Sequence, residues 1–150
     1  MTGRDEQGIA LLVLDTDHAS ELAYRSAAGL RLLNRLAAAG AGNAVITAIT
    51  VEEQLRGRFA EIRRHADQQS LIAAYARLVR QVELHAAWCI LPWDENAVEV
   101  FERLRGLRIR SGIQDLMIAA ITLAHHATLL TRNPQDFAGV PGLSIENWLG

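Results

Sequence analysis

Two apolar rhythms alternate along this chain. The first is continuous: IALLVL (9–14), AVIT (44–47), CILPW (89–93) and ATLLT (127–131) are runs of four to six residues with little internal polarity. Runs of that length, rich in Val, Ile and Leu and stopped by polar residues, predict short strands buried on both faces. LSIENW near the end predicts a short fifth. The second rhythm is helical. From about Ser20 to Ala39, Leu22, Leu30, Leu33 and Leu36 recur at near-helical spacing, and Gly40 stops the run. AITVEEQLRGRFAEIRRHA predicts a second helix, and the stretch from about Asp67 to Ala87 a third. DENAVEVFERLRGL predicts a fourth, with Asp94 as its N-cap. A fifth is LMIAAITLA, apolar all round and therefore expected to be buried, with Ser111 and Gln114 at capping-box spacing at its start. Short buried strands alternating with helices mean a parallel sheet covered on both sides. The expected fold class is an α/β, three-layer α/β/α sandwich around a short parallel sheet.

Length adds that 1–150 forms one domain with a real core. The opening MTGRDEQGIALLVLD is too short in apolar residues for a membrane span and has no signal-peptide cleavage pattern. The single cysteine, Cys89, has no internal partner and falls in an apolar run, where a core role is expected. These features predict a cytoplasmic protein with no membrane association. Net charge is −2, which gives no nucleic-acid footprint by itself. All fifteen basic residues are arginine. The absence of lysine excludes a Walker-type GK[ST] loop, a Schiff-base lysine and a lysine general base.

The acids change the picture most. Asp15 follows the first strand directly, Glu52 and Glu53 lie in the first turns of the helix after the second, and Asp94 follows the third. Asn133 and Asp136 follow the fourth. A helix that leads back into a parallel strand runs antiparallel to it, so Asp115 at its N-terminus joins the same carboxyl edge. That edge is where open α/β sheets bind ligands. Converging carboxylates repel one another, and a divalent cation relieves the conflict; an all-oxygen donor set suits Mg²⁺, with Mn²⁺ as the alternative. Simpler explanations cover individual residues: the helix macrodipole for Asp115, a cap for Asp94, and a solvated position for one of the Glu pair. The joint placement favours a metal site.

Other chemistry is less well supported. His125 and His126 suit a helix C-terminus and lie at the opposite end from the acids. His18 is expected at the surface. Trp88, Trp93 and Trp148 are expected to pack. Arg56, Arg58, Arg63 and Arg64 form one basic group, and Arg103, Arg105, Arg108 and Arg110 another, which leads through LRIRSG to the acidic edge. Arginines beside such an edge suit a phosphodiester substrate.

LLVLDTDHAS, ITAITVEEQLRG, SGIQDLMIAA, TLLTRNPQDF and VPGLSIENWL resemble, in order and spacing, the PIN-domain family, and more narrowly the VapC-type toxins of toxin–antitoxin pairs. The resemblance implies a Mg²⁺-dependent endoribonuclease acting on RNA, dimeric, restrained by a cognate antitoxin, and leaving 5′-phosphate and 3′-hydroxyl ends. It assigns the metal-binding and catalytic acids to Asp15, Glu53 and Asp115. Relatives carry a fourth acid where this chain has Asn133, so Asn133 or Asp136 fills that place. Arg110, Arg132 and Arg108 become phosphate-binding residues. Two alternatives stand beside this one. LLVLDTD also fits a haloacid-dehalogenase-type phosphatase, with Asp15 as nucleophile, Asp17 as general acid and Thr47 as the hydroxyl after the second strand, though such enzymes normally need a lysine. Loss of the fourth acid would alternatively leave a non-catalytic module that binds RNA or protein.

Overall fold

Apolar runs become strands here because both of their faces are covered. In a computed structural model, which describes residues 11–150, the chain forms β1 (Leu12–Leu14), α1 (Thr16–Tyr24), α2 (Ala27–Ala39), β2 (Ala44–Thr47), α3 (Ala48–Arg64), α4 (Gln68–Ala86), β3 (Ile90–Leu91), α5 (Glu95–Gly106), α6 (Ile113–Ala124), β4 (Thr128–Leu130) and β5 (Ser144–Glu146). Short 3₁₀ turns at Ala41–Asn43 and Pro134–Phe137 complete it. The strands pair in parallel in the order β3-β2-β1-β4-β5. Alternate residues then point to opposite sides of the sheet. Val13, Val45 and Leu129 meet α5, α6 and Phe137 on one face. Leu12, Leu14, Ile46 and Leu130 meet Leu32 and Leu36 of α2 and Leu149 on the other. This is the expected three-layer α/β/α arrangement. The residues predicted at the start of the first strand, Ile9 and Ala10, lie outside the described part.

Several local expectations are corrected. The single helix predicted from Ser20 to Ala39 is two. Arg25 takes a left-handed backbone (φ 50°) that ends α1, and Ser26 accepts from the Gly29 amide at 2.9 Å to start α2. Leucine spacing carried across the break because both helices cover the same apolar face. Gly29 lets the two helices close up: a Cβ there would lie 2.1 Å from the Glu21 carbonyl oxygen. Asp-Thr-Asp opens α1 directly after β1, with Asp15 as N-cap. Cys89 is exposed, because β3 is a two-residue strand at the sheet edge and has a neighbour on one side only. Ser111 does not cap the buried helix. Gly112 occupies the cap position without a side-chain bond, and Ser111 Oγ donates instead to the Asp136 carbonyl at 2.6 Å. Asp94 caps α5 as expected, accepting from the Ala97 amide at 2.9 Å. Within α6, Leu116, Ile118, Ala119, Ala120, Ile121 and Thr122 are buried. Among the described residues no helix is long and apolar enough to cross a membrane.

Candidate metal and phosphodiester site at the sheet edge

Asp15 is fixed by three neighbours. Its backbone amide continues the β1–β4 ladder by donating to the Leu130 carbonyl at 2.9 Å. One carboxylate oxygen accepts from the Thr16 amide at 2.9 Å and the other from Thr131 Oγ1 at 2.9 Å. Thr131 is fully buried at the end of β4, so its hydroxyl needs partners; it also accepts from the Asn133 amide at 3.1 Å. Glu53 reaches the same place from α3, where its Oε2 accepts from Thr16 Oγ1 at 2.5 Å. Thr16 therefore holds two acids, one by its amide and one by its hydroxyl. Glu52, one residue earlier, is exposed and pairs with Arg56 at 3.1 Å. One of the Glu pair is solvated, as the helical geometry required.

Asp115 stands in the first turn of α6 and points back toward the helix start, 3.7 Å from where a Cβ on Gly112 would lie. Burial pushes its carboxyl up to about 6, and the charges of Asp15, Asp136 and Glu53 push the same way. Asp15 is raised by burial, against the lowering effect of its bonds from Thr16 and Thr131, with Asp17 and Asp136 adding to the rise. Glu53 is raised by burial, with Asp15 and Glu52 adding and the Thr16 bond opposing. Asp115 thus feels both of the other acids, and Glu53 feels Asp15.

The two candidates for a fourth position differ in what they touch. Asn133 Nδ2 donates to Asp17 at 3.2 Å. The Asp136 charge is felt by both Asp15 and Asp115, and the Ser111 bond to its carbonyl ties this turn to the start of α6. Among the arginines, Arg132 pairs with Glu21 at 3.6 Å. Arg108 and Arg110 are exposed on the connection into α6, Arg108 in a left-handed backbone (φ 54°). Among the described residues, no three acidic, histidine or cysteine side chains are close enough to enclose a cation in the arrangement seen. Asp15 and Glu53 meet hydroxyl and amide donors instead.

The remaining histidines and the phosphatase residues fall elsewhere. His18 is fully buried, not at the surface: its Nε2 accepts from the Trp148 amide at 3.1 Å, while burial and the nearby Arg132 lower its pKa to about 4. It anchors the chain end to α1. His125 caps the C-terminus of α6, far from the acids as expected. Thr47 is buried and caps α3 through the Thr50 amide at 3.2 Å. Its hydroxyl is therefore committed to the helix, and Asp17 is held by Asn133, which leaves the phosphatase assignment without its supporting residues. Sequence reasoning missed Thr16, Thr131 and the true role of Ser111. The signal for the two threonines was a hydroxyl immediately beside each strand end, in DTD and TLLT.

The PIN domain family model matches residues 12–143. The chain belongs to the PIN domain family. Ribonuclease VapC2 of Rickettsia felis is 31% identical over 103 residues, covering 69% of this chain and 72% of that protein. Solved structures agree in fold. VapBC2 from Rickettsia felis, bound to a DNA fragment from its promoter, superposes with a TM-score of 0.68 at 20% identity, covering 92% of this chain and 98% of that one. FitAcB from Neisseria gonorrhoeae superposes at 0.66 and 23% identity, covering 92% and 98%. The resemblance to VapC-type PIN proteins is borne out by these relatives. Asp15, Glu53, Asp115 and Asn133 all stand at the carboxyl edge of the sheet in this fold.

Proposed function

We propose that this PIN protein is a divalent-metal-dependent endoribonuclease and the toxin of a toxin–antitoxin pair. The observation that carries the reading is the placement of Asp15, Glu53 and Asp115 at the carboxyl edge of a parallel sheet, where Thr16 joins Asp15 to Glu53 and the charges of Asp15, Asp136 and Glu53 bear on Asp115. All donors are oxygens, the charge is unbalanced, and Asp115 makes no hydrogen bond among the described residues, so it can turn inward. That chemistry fits Mg²⁺ or Mn²⁺. Asp15, Glu53 and Asp115 would hold the ion, with Asp136 as the fourth acid and Asn133 as its neighbour on Asp17. Bound there, it would supply Lewis-acid polarisation of a phosphoryl oxygen and a lowered pKa for the attacking water. The bonds from Thr16 and Thr131 aim Asp15 and Glu53 and oppose the burial that raises them, since hydrogen bonds to a carboxylate favour its charged form. Arg110 and Arg108 would meet the flanking phosphates, and Arg132 would do so by exchanging Glu21 for the substrate. Products would carry a 5′-phosphate and a 3′-hydroxyl.

The VapBC complexes among its structural relatives support a cognate antitoxin as partner. So does an apolar cavity of about 180 Å³ between α1, α2 and α4, lined by Leu22, Leu30, Leu33 and Trp88. Leu30 and Leu33 are nearly half exposed beside it, at 48% and 49%. A homodimer and a cytoplasmic location belong to the same proposal. The test is cleavage of purified RNA by the purified chain. Cutting with added Mg²⁺, abolished by EDTA and by Asp15→Asn, is expected; cutting that persists in either condition rejects the mechanism.

A further inference from the structure

Two exposed stripes of opposite charge leave the same corner of the sheet. Thr47 and Leu91 are register partners at the ends of β2 and β3. α3 begins directly after Thr47, and Trp93 and Asp94 lead into α5 just beyond Leu91. The two helices therefore start side by side at the free edge of the sheet, where β3 pairs with β2 alone and Cys89 and Ile90 are exposed. On α3, Arg56, Phe59 and Arg63 recur at helical spacing and are all exposed, Phe59 by 46%. Ala48, Val51 and Leu55 extend this face as a shallow concavity of about 460 Å³. On α5, Glu95, Glu99 and Glu102 recur in the same way, with Val98 between them, 39% exposed. With Trp93 they line a second open concavity, of about 670 Å³. Trp93 is held there edge-on to Phe101, the ring centroids 5.3 Å apart.

A helix face that is only solvated mixes charges and carries little apolar surface. Each of these stripes instead sets charge of mainly one sign around an apolar centre. Within the chain the two do not neutralise each other. Among the described residues Arg56 pairs only with Glu52 of its own helix, and Arg63, Glu95, Glu99 and Glu102 form no ion pair. What one stripe offers, the other fits: arginines on either side of a phenyl ring, and carboxylates on either side of a valine, with open space beside Trp93 for the ring. One copy cannot press two outward faces together. Two copies related by a twofold axis can, because α3 of each then meets α5 of the other and both contacts form at once. The complementarity of the chain to itself is what favours a second copy over an unrelated protein, which would have to supply both halves of the pattern.

We propose that two copies of this chain pair through the α3–α5 face at the β3 edge, with Arg56, Phe59 and Arg63 of each seated against Val98, Glu99 and Glu102 of the other. The same step covers the free edge of β3. The proposal rests on the homodimer named under the proposed function and gives it a surface; its test uses no RNA. Sedimentation equilibrium of the whole chain should give twice the chain mass. Arg56→Glu with Arg63→Glu makes both stripes acidic, and Glu99→Arg with Glu102→Arg makes both mainly basic. Each doubly substituted chain should be monomeric, its dimer Kd raised by at least about a hundredfold, because like charges then meet at both contacts. Mixed in equal amounts, the two variants should form a heterodimer with a Kd near that of the wild type, since each contact again joins acid to base. Misfolding cannot produce that rescue. Dimers that survive both pairs of substitutions overturn the surface and leave the homodimer standing. Monomeric variants that stay apart on mixing overturn the exchanged α3–α5 contact. A monomeric wild type overturns the surface and the homodimer together and leaves the face to another protein, such as the antitoxin, while RNA cleavage by the same sample decides the nuclease reading separately.

Discussion

Replacing Asp115 with asparagine should make the metal-free protein more stable at neutral pH, although it removes a residue proposed to be essential. The carboxyl is raised from 3.8 to about 6 by burial and by the charges of Asp15, Asp136 and Glu53. A raised folded-state pKa means the native chain holds the proton more tightly than the unfolded chain does. Wild-type stability therefore falls as pH climbs from about 4 through about 6, and stays lowered above that range. The full gap corresponds to about 3 kcal/mol. The side chain is partly solvated, and screening reduces the usable effect to about 1–2 kcal/mol. For a chain of this size that is a rise in Tm of roughly 2–8 °C at pH 8 for Asp115→Asn. At pH 4, where the native carboxyl is already protonated, the two proteins should melt together. His18 acts in the opposite sense over the same range. Its pKa is lowered to about 4, so its contribution is complete above the unfolded value of 6.5 and is lost as pH falls toward 4. It is common to both proteins and cancels in the difference. The assay is thermal unfolding in EDTA at several pH values, repeated with Mg²⁺, which should raise the Tm of the wild type and not of the variant. A variant less stable than the wild type at pH 8, or a gain that persists at pH 4, refutes the electrostatic reasoning.

Thr16→Val removes the hydroxyl that holds Glu53 and keeps the amide that holds Asp15; it should cut kcat for RNA cleavage about tenfold, as expected for losing one charge-assisted bond of about 1.5 kcal/mol, while Thr16→Ser retains activity in the same assay. Asn133→Asp sets a carboxylate against Asp17, at what is now a 3.2 Å hydrogen bond, and should lower metal-free stability by about 1–2 kcal/mol at pH 7 and much less at pH 4, measured by urea unfolding. Asp136→Asn should weaken Mg²⁺ binding in a calorimetric titration; an unchanged affinity would leave a three-acid site. Gly29→Ala should cost about 1–3 kcal/mol, because the added methyl meets the Glu21 carbonyl and α1 and α2 must move apart, which the same urea unfolding would show.

The sheet and its order of elements were legible because continuous apolar runs have one economical solution, a parallel sheet buried on both faces. The edge that collects Asp15, Glu53 and Asp115 followed from that topology, since helices returning to parallel strands start where the strands end. What stayed hidden depends on contacts distant in sequence. Arg25 breaks one apolar stripe into two helices through a single left-handed residue, with no proline or glycine at the break. Cys89 is exposed because its strand lies at the edge, and strand order is not written in local pattern. His18 is buried because the chain end folds over it, a contact spanning 130 residues. Ser111 had capping-box spacing to Gln114, but the Asp136 carbonyl competes for its hydroxyl once the two turns meet. Whether Asn133 or Asp136 takes the fourth place depends on which side chain reaches Asp15 and Asp115, which is set by the folded turn after β4 and not by local pattern.

Titration of Mn²⁺ into the purified chain, followed by the loss of its free-ion paramagnetic signal, tests the acidic edge most directly. The proposed site predicts saturable binding that is lost in Asp15→Asn and in Asp115→Asn and survives in Asp94→Asn, whose carboxylate caps α5. Equal Mn²⁺ binding by the wild type and both edge variants would contradict it.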